Sequence, residues 1–236
     1  MENQVKALDS LFAEMSAATD HLLWDEIPEL TRREKVLLCL TADVCQQSLG
    51  LPFEQHVTMA ADSGLSADDL REMLRFVAYD SGYPAALAAL ARLTELEREH
   101  ALPSPTGQGH EVNANGTGSP LPKPMRQAVA ALDAPFSIYM DLQSRMRAGM
   151  RLLSVRERAF ITMTVDVLFQ TLQESFRAHL TRALGAGATP EESRAVVRFS
   201  AQFGMTKAWR AMHVLDTLLI ELGAAGSDTQ GSHSRA

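Results

Sequence analysis

Residues 31–64 read TRREKVLLCLTADVCQQSLGLPFEQHVTMAADSG, and residues 154–187 read SVRERAFITMTVDVLFQTLQESFRAHLTRALGAG. The second stretch echoes the first at an offset of 123, and self-similarity at one fixed spacing decides an architecture before any local pattern does. At that offset residues 30–77 align with 153–200 without a gap, and 16 of the 48 pairs are identical. Average composition would give about three. The identical pairs include Arg33/Arg156, Glu34/Glu157, Asp43/Asp166, Gln47/Gln170, Phe53/Phe176, His56/His179, Gly64/Gly187 and Arg75/Arg198. A one-residue slip then pairs Gly82 with Gly204, and the triplet ALD at 7–9 returns at 131–133. The chain is a tandem duplication of one unit.

Each copy reads as helical. Thr31 stands at an N-cap position with Glu34 three residues on, a capping box, and Ser154 with Glu157 repeats it. The run from Val36 to Cys45 is apolar nearly all round, which marks a buried helix. A second helix ends near Gly64. A third opens at Ser66 with two acids in its first turn, where the helix dipole favours them. Its counterpart opens with Pro190 in the first turn. A fourth starts at Pro84, and a leading amphipathic helix is expected near 4–20 and again near 135–149. No stretch alternates with period two, so the expected fold is all-α with about five helices per copy. Residues 102–124, LPSPTGQGHEVNANGTGSPLPKP, have the composition of a solvated linker. The expected division is therefore a first unit over 1–101, a flexible linker over 102–124, a second unit over 125–223 and a disordered tail over 224–236.

Composition narrows the function. The 236 residues carry a net charge of −7, with a pI near 5.5, and 46% of them are hydrophobic. An acidic chain without a basic run has no surface for neutralising phosphates or for lying on an anionic bilayer, so neither nucleic acid nor membrane is an expected partner. The N-terminal MENQVKALDSLFAEM lacks the basic and apolar regions of a signal peptide. No segment approaches 18 uninterrupted apolar residues. The two cysteines, Cys39 and Cys45, are spaced as neither a redox pair nor a zinc site, and free thiols point to a reducing, cytoplasmic setting. No cluster of His, Asp or Glu has metal-ligand spacing, so no metal and no cofactor is expected.

The residues then resemble a family. An Arg-Glu pair opening a helix (Arg33, Glu34) is followed by His56, Ala60 and Gly64, by a helix start over Ser66 to Asp69, and by Tyr79, Gly82, Tyr83, Pro84, Ala85 and Ala86. This pattern is similar to the carboxymuconolactone decarboxylase family of the alkylhydroperoxidase D-like superfamily, with Tyr79 one residue further from the glycine than in the family pattern. The second copy keeps Arg156, Glu157, His179, Ala183 and Gly187 and has drifted to FGMTKAWRA where the first reads SGYPAALAA. The resemblance implies two tandem alkylhydroperoxidase D-like helical units and a homo-oligomer, in which three chains would rebuild a six-unit ring. It implies activity as a decarboxylase-like lyase. The redox branch of that superfamily uses a C-x-x-C pair ahead of the histidine. Leu49 and Pro52 stand there in the first copy, and Leu172 and Ser175 in the second, so thiol peroxidase chemistry of that kind is not expected.

The candidate residues each have two readings. His56 and His179 are either core histidines or general acid–base groups, since an imidazole's ordinary pKa of about 6.5 suits proton transfer at neutral pH. Asp43 and Asp166 lie in apolar runs, where a carboxylate must be paired or protonated. They are candidate catalytic acids, or structural partners of an arginine or a helix end. Gln47 and Gln170 sit one turn on, as candidate pocket groups. Arg33 and Arg156 either clamp a substrate carboxylate bidentately or pair with an acid across an interface. Glu34 and Glu157 are explained by capping without chemistry, and Tyr79 and Tyr83 are candidate donors to a substrate oxygen. The expectation is a cofactor-free acid–base enzyme acting on a small carboxylate or lactone by decarboxylation, isomerisation or cyclisation. The alternative is a non-catalytic oligomeric binding protein on the same fold.

Overall fold

A computed structural model describes residues 2–107, 112–116 and 119–224. Among the described residues the regular structure is entirely helical. The first repeat forms α1 (Glu2–Leu8), α2 (Ser10–Asp20), α3 (Arg32–Gln46), α4 (Leu51–Asp62), α5 (Ala67–Ser81) and α6 (Tyr83–Glu99). The second forms α7 (Lys123–Leu132), α8 (Ala134–Ala148), α9 (Val155–Phe169), α10 (Glu174–Gly185), α11 (Pro190–Ser200) and α12 (Met205–Glu221). A π-helical turn, His21–Asp25, continues α2. No helix among the described residues is long and apolar enough to cross a membrane.

Each copy has one helix more than its hydrophobic pattern suggests, and the repeated ALD explains it. Asp9 adopts an extended backbone, and its carboxylate accepts the Phe12 N–H at 2.7 Å. Asp133 does the same for the Phe136 N–H at 2.6 Å. An N-cap residue is by nature non-helical, so each aspartate ends one helix and starts the next. Capping boxes also open α3 through Thr31 and Glu34, α5 through Ser66 and Asp69, and α11 through Thr189 and Glu192.

Packing groups these helices into two compact units that cut across the sequence repeat. One unit comprises 1–64 and 155–236 and so combines α3 and α4 of the first copy with α9 to α12 of the second. Within it α3 packs along α9, which also meets α10, α11 and α12. Both central helices are sequestered nearly all round: Glu34 to Val44 of α3 are buried without a break, and so are Ala159 to Leu168 of α9. Leu38, Phe160, Met163, Phe176, Phe199 and Leu215 are among the residues of its core.

The other unit spans 65–154 and contains α5 to α8. There α5 packs on α6, α7 on α8, and α5 touches α8. The wholly buried Glu72 accepts the backbone N–H groups of Arg151 at 3.1 Å and Leu153 at 2.8 Å. Arg147 stacks over the Phe76 ring, 3.7 Å from its centroid, and donates to Asp80 at 2.6 Å. The start of the linker-like segment is tied down: Asp68 accepts the Thr106 N–H and hydroxyl at 2.9 and 2.6 Å. Residues 108–111, 117–118 and the tail from 225 onward lie outside the described residues.

Candidate functional site

The local geometry of the candidate site starts from the end of α3. Its chain leaves the helix through Gln47, which takes a left-handed conformation (φ 56°). The Ser48 N–H then reaches back to the Asp43 carbonyl at 2.9 Å, and the Gln47 N–H to that of Val44 at 3.3 Å. This is a Schellman closure with glutamine where glycine is usual. The Gln47 side chain compensates: its amide donates to the Val44 carbonyl at 2.7 Å. At the end of α9 the same geometry recurs through Gln170 (φ 60°), with the Thr171 N–H on the Asp166 carbonyl at 3.1 Å. The Gln170 amide donates to the carbonyls of Val167 and Lys207 at 2.7 and 3.1 Å. Both glutamines, candidates for a pocket, thus spend their amide donors on helix ends.

The tight exit folds α4 back alongside α3, and α10 alongside α9. His56 and His179 are thereby returned to the aspartates thirteen residues before them. His56 Nδ1 lies 2.6 Å from Asp43 Oδ2, and His179 Nδ1 lies 2.6 Å from Asp166 Oδ2. Both aspartates are buried and both imidazoles keep a narrow edge in solvent, with 16% of the His56 side chain and 12% of that of His179 exposed. A carboxylate only accepts, so the shared proton sits on Nδ1 as donor and Nε2 is the nitrogen left for exchange. The four residues read as catalytic candidates form two matching dyads.

Their surroundings differ. Asp166 Oδ1 accepts the Thr171 hydroxyl at 2.6 Å and the Ser175 hydroxyl at 2.7 Å. Ser48 and Pro52 occupy the equivalent places in the first copy. Burial holds the Asp43 carboxyl above the ordinary carboxylate range, against the hydrogen bond and charge of His56, which pull it down. Asp20, at the end of α2, is a further acid in the electrostatic field of His56. Desolvation raises its carboxyl, opposed by the His56 charge and a Ser16 hydrogen bond, although much of the residue's surface is exposed. Asp20 has no acidic counterpart in the second copy, so the repeat carried no signal for it. Cys39 is fully buried, and burial with the nearby Asp43 and Asp20 charges pushes its thiol well above the ordinary range, which suppresses thiolate chemistry.

The arginines turn to each other's repeat. Arg33 Nε donates to Glu157 Oε1 at 2.6 Å, and Arg156 Nε donates to Glu34 Oε1 at 2.7 Å. Arg33 Nη1 also donates to the Gly64 carbonyl at 2.6 Å, and Arg156 Nη1 lies 2.8 Å from Glu192. Glu34 meanwhile closes its capping box by accepting the Thr31 N–H at 2.8 Å. Of the two readings of these arginines, the pairing across repeats is the one the geometry displays.

Tyr79 and Tyr83 belong to the 65–154 unit. They line an aromatic groove of about 410 Å³ with Phe136, Tyr139 and Met140, where the Tyr83 hydroxyl donates to Gln143 at 2.8 Å.

The sequence model of the carboxymuconolactone decarboxylase family matches residues 13–95 and, a second time, residues 136–217. No curated protein sequence matches the chain significantly. The two matched regions together span well over half of the polypeptide, and each contains one Asp–His dyad on a pair of adjacent helices. The chain therefore belongs to the carboxymuconolactone decarboxylase family and carries two copies of its helical unit in tandem.

Proposed function

We propose that the chain is a cofactor-free acid–base enzyme acting on a small carboxylated or lactone-type molecule, with His56 as the proton-transferring group and Asp43 orienting it. The observation that carries the reading is the 2.6 Å bond from His56 Nδ1 to the buried Asp43, repeated in the second copy. In decarboxylation the carboxyl C–C bond breaks, its electron pair passes into a dienolate and CO2 leaves. The imidazolium form of His56, which carries a second proton on Nε2, then delivers that proton to carbon, and the resulting imidazole is reprotonated from solvent. Isomerisation or cyclisation of a lactone needs the same nitrogen to remove one proton and return another. Asp43 favours the tautomer that does this and stabilises the imidazolium formed in between, which is the division of labour of other carboxylate–histidine pairs. The setting we propose is cytoplasmic and homo-oligomeric. Self-association is supported by the apolar side chains left open on the leading helices, with Leu11 70%, Phe12 62% and Met15 69% exposed.

The test is turnover of a panel of carboxylated lactones by wild type and by His56→Ala. A general acid contributes roughly 10²–10⁴-fold, so kcat is expected to fall by at least about a hundredfold. Wild-type turnover by His56→Ala would sink the assignment. A second reading, an oligomeric binding protein without catalysis, has one observation in its favour: Arg33, Arg156, Gln47 and Gln170 all spend donors on the protein itself. It predicts that no compound in the panel is consumed and that His56→Ala changes only stability.

A further inference from the structure

The two dyads share a bond length and differ in what holds the carboxylate. Asp166 accepts three side-chain hydrogen bonds, from His179 on one oxygen and from Thr171 and Ser175 on the other, at 2.6 to 2.7 Å. Charge-assisted bonds of that length fix the carboxylate rotamer, and the imidazole with it. In the first copy the equivalent residues are Ser48 and Pro52, and neither side chain bonds Asp43 in the described structure. Proline has no side-chain donor. It sits in the first turn of α4, where its missing N–H costs nothing. Of the two hydroxyl positions, the one at 52 is thus closed by residue type, and the Ser48 hydroxyl makes no bond to the Asp43 carboxylate.

We infer that Thr171 and Ser175 are positioning residues that immobilise the Asp166–His179 dyad, leaving Asp43–His56 as the dyad free to rearrange and hence the single proton-transfer site of each chain. The inference rests on the acid–base reading of the dyads. A histidine that cycles between imidazole and imidazolium must alternately tighten and loosen its bond to the carboxylate. A carboxylate tied down on its far oxygen resists that change, while one held by the histidine alone follows it. One acid, Asp20, lies in the field of His56, while burial keeps the nearby Cys39 thiol neutral.

The imidazole N–H protons of the full-length, ligand-free protein report the difference directly by ¹⁵N-edited NMR. Exchange of an Nδ1–H with water requires the bond to the aspartate to open. One hydroxyl bond of ordinary charge-assisted strength shifts such an opening equilibrium by about tenfold. The His179 Nδ1–H is expected to exchange at least about tenfold more slowly than that of His56. Thr171→Val with Ser175→Ala should bring the His179 rate to that of His56 and leave the His56 rate unchanged. The graft Ser48→Thr with Pro52→Ser should slow exchange at His56. Equal exchange at the two histidines in wild type overturns the inference, and this needs no variant to fold. An unchanged His179 rate in Ser175→Ala and in the double variant overturns it as well. Neither measurement involves turnover, so its failure is distinct from failure of the acid–base assignment.

Discussion

Replacing Arg33 with methionine separates its two possible uses, because an arginine reserved for substrate and one engaged in the fold respond differently. The Arg33 and Glu157 side chains are 26% and 11% exposed, and their Nε–Oε1 distance is 2.6 Å. A charge-assisted bond contributes about 1.5–3 kcal/mol net. The substitution also removes the bond to the Gly64 carbonyl. It leaves Glu157 in a largely dry place without that donor, which for fully buried pairs costs about 3–5 kcal/mol. Partial exposure on the arginine side reduces the figure, so Arg33→Met is expected to cost about 2–4 kcal/mol. At roughly 2–4 °C per kcal/mol for chains of this size, the melting temperature should fall by about 4–16 °C. Glu157→Gln removes the charge that has lost this donor, so the double variant should lose less than the sum, with a coupling of about 1–2 kcal/mol in a double-mutant cycle followed by urea unfolding. Arg33→Met within about 0.5 kcal/mol of wild type, together with zero coupling, would refute the reasoning and return the guanidinium to the pool of substrate ligands.

Other perturbations probe the helix end, the core and the carboxyls. Gln47→Ala keeps the strained left-handed backbone and loses the amide bond to Val44, so it should cost about 1–2 kcal/mol in urea unfolding. Gln47→Gly should recover most of that, because glycine takes φ 56° without strain; equal losses in the two would remove the capping role. Phe176, wholly buried against α9, should cost about 3–5 kcal/mol when cut to alanine, and a near-neutral result would mean that α10 is not anchored there. Burial raises the carboxyls of Asp20 and Asp43, so the folded chain binds their protons more tightly than the unfolded chain. Their contribution to stability is full below the unfolded value of about 4 and is lost as pH rises through the raised folded values. Asp20→Asn should therefore flatten the dependence of the urea midpoint on pH above about 4, and an unchanged slope would contradict the desolvation of that carboxyl.

Much of this molecule is written locally. The 3.6-residue periodicity, the capping boxes at Thr31 and Ser66 and the duplication all speak through neighbours in sequence, and they correctly indicated an all-helical chain with two related halves. The ALD triplets were seen as a repeat, but an aspartate that caps one helix also ends another, and amphipathicity runs smoothly across the break. The members of the dyads were legible one by one, because the repeat preserves each aspartate and each histidine, but their pairing was not: only the fold brings His56 to Asp43 and His179 to Asp166. What stayed hidden depends on tertiary packing. That α3 would share a core with α9, so that Arg33 meets Glu157, is decided by two apolar faces 123 residues apart. Gln47 and Gln170 resembled pocket groups because nothing in their spacing reveals a left-handed backbone at a non-glycine residue. Nothing in the sequence marks Thr171, and only the fold carries its hydroxyl to Asp166.

The pairing of α3 with α9 through reciprocal Arg–Glu bonds has the form of a two-fold symmetric dimer interface, except that both halves belong to one polypeptide. A symmetric dimer is tied to its own reflection: every substitution appears on both sides at once, and a change useful to one site is imposed on the other. Joining the halves end to end dissolves that bond. The pairing no longer depends on how many chains are present, since the tether holds the partner at a high effective concentration. Each half can also be altered alone. Proline at 52 and serine at 175 are the record of that freedom: one ancestral position, given two different residues and two different duties within a single fold.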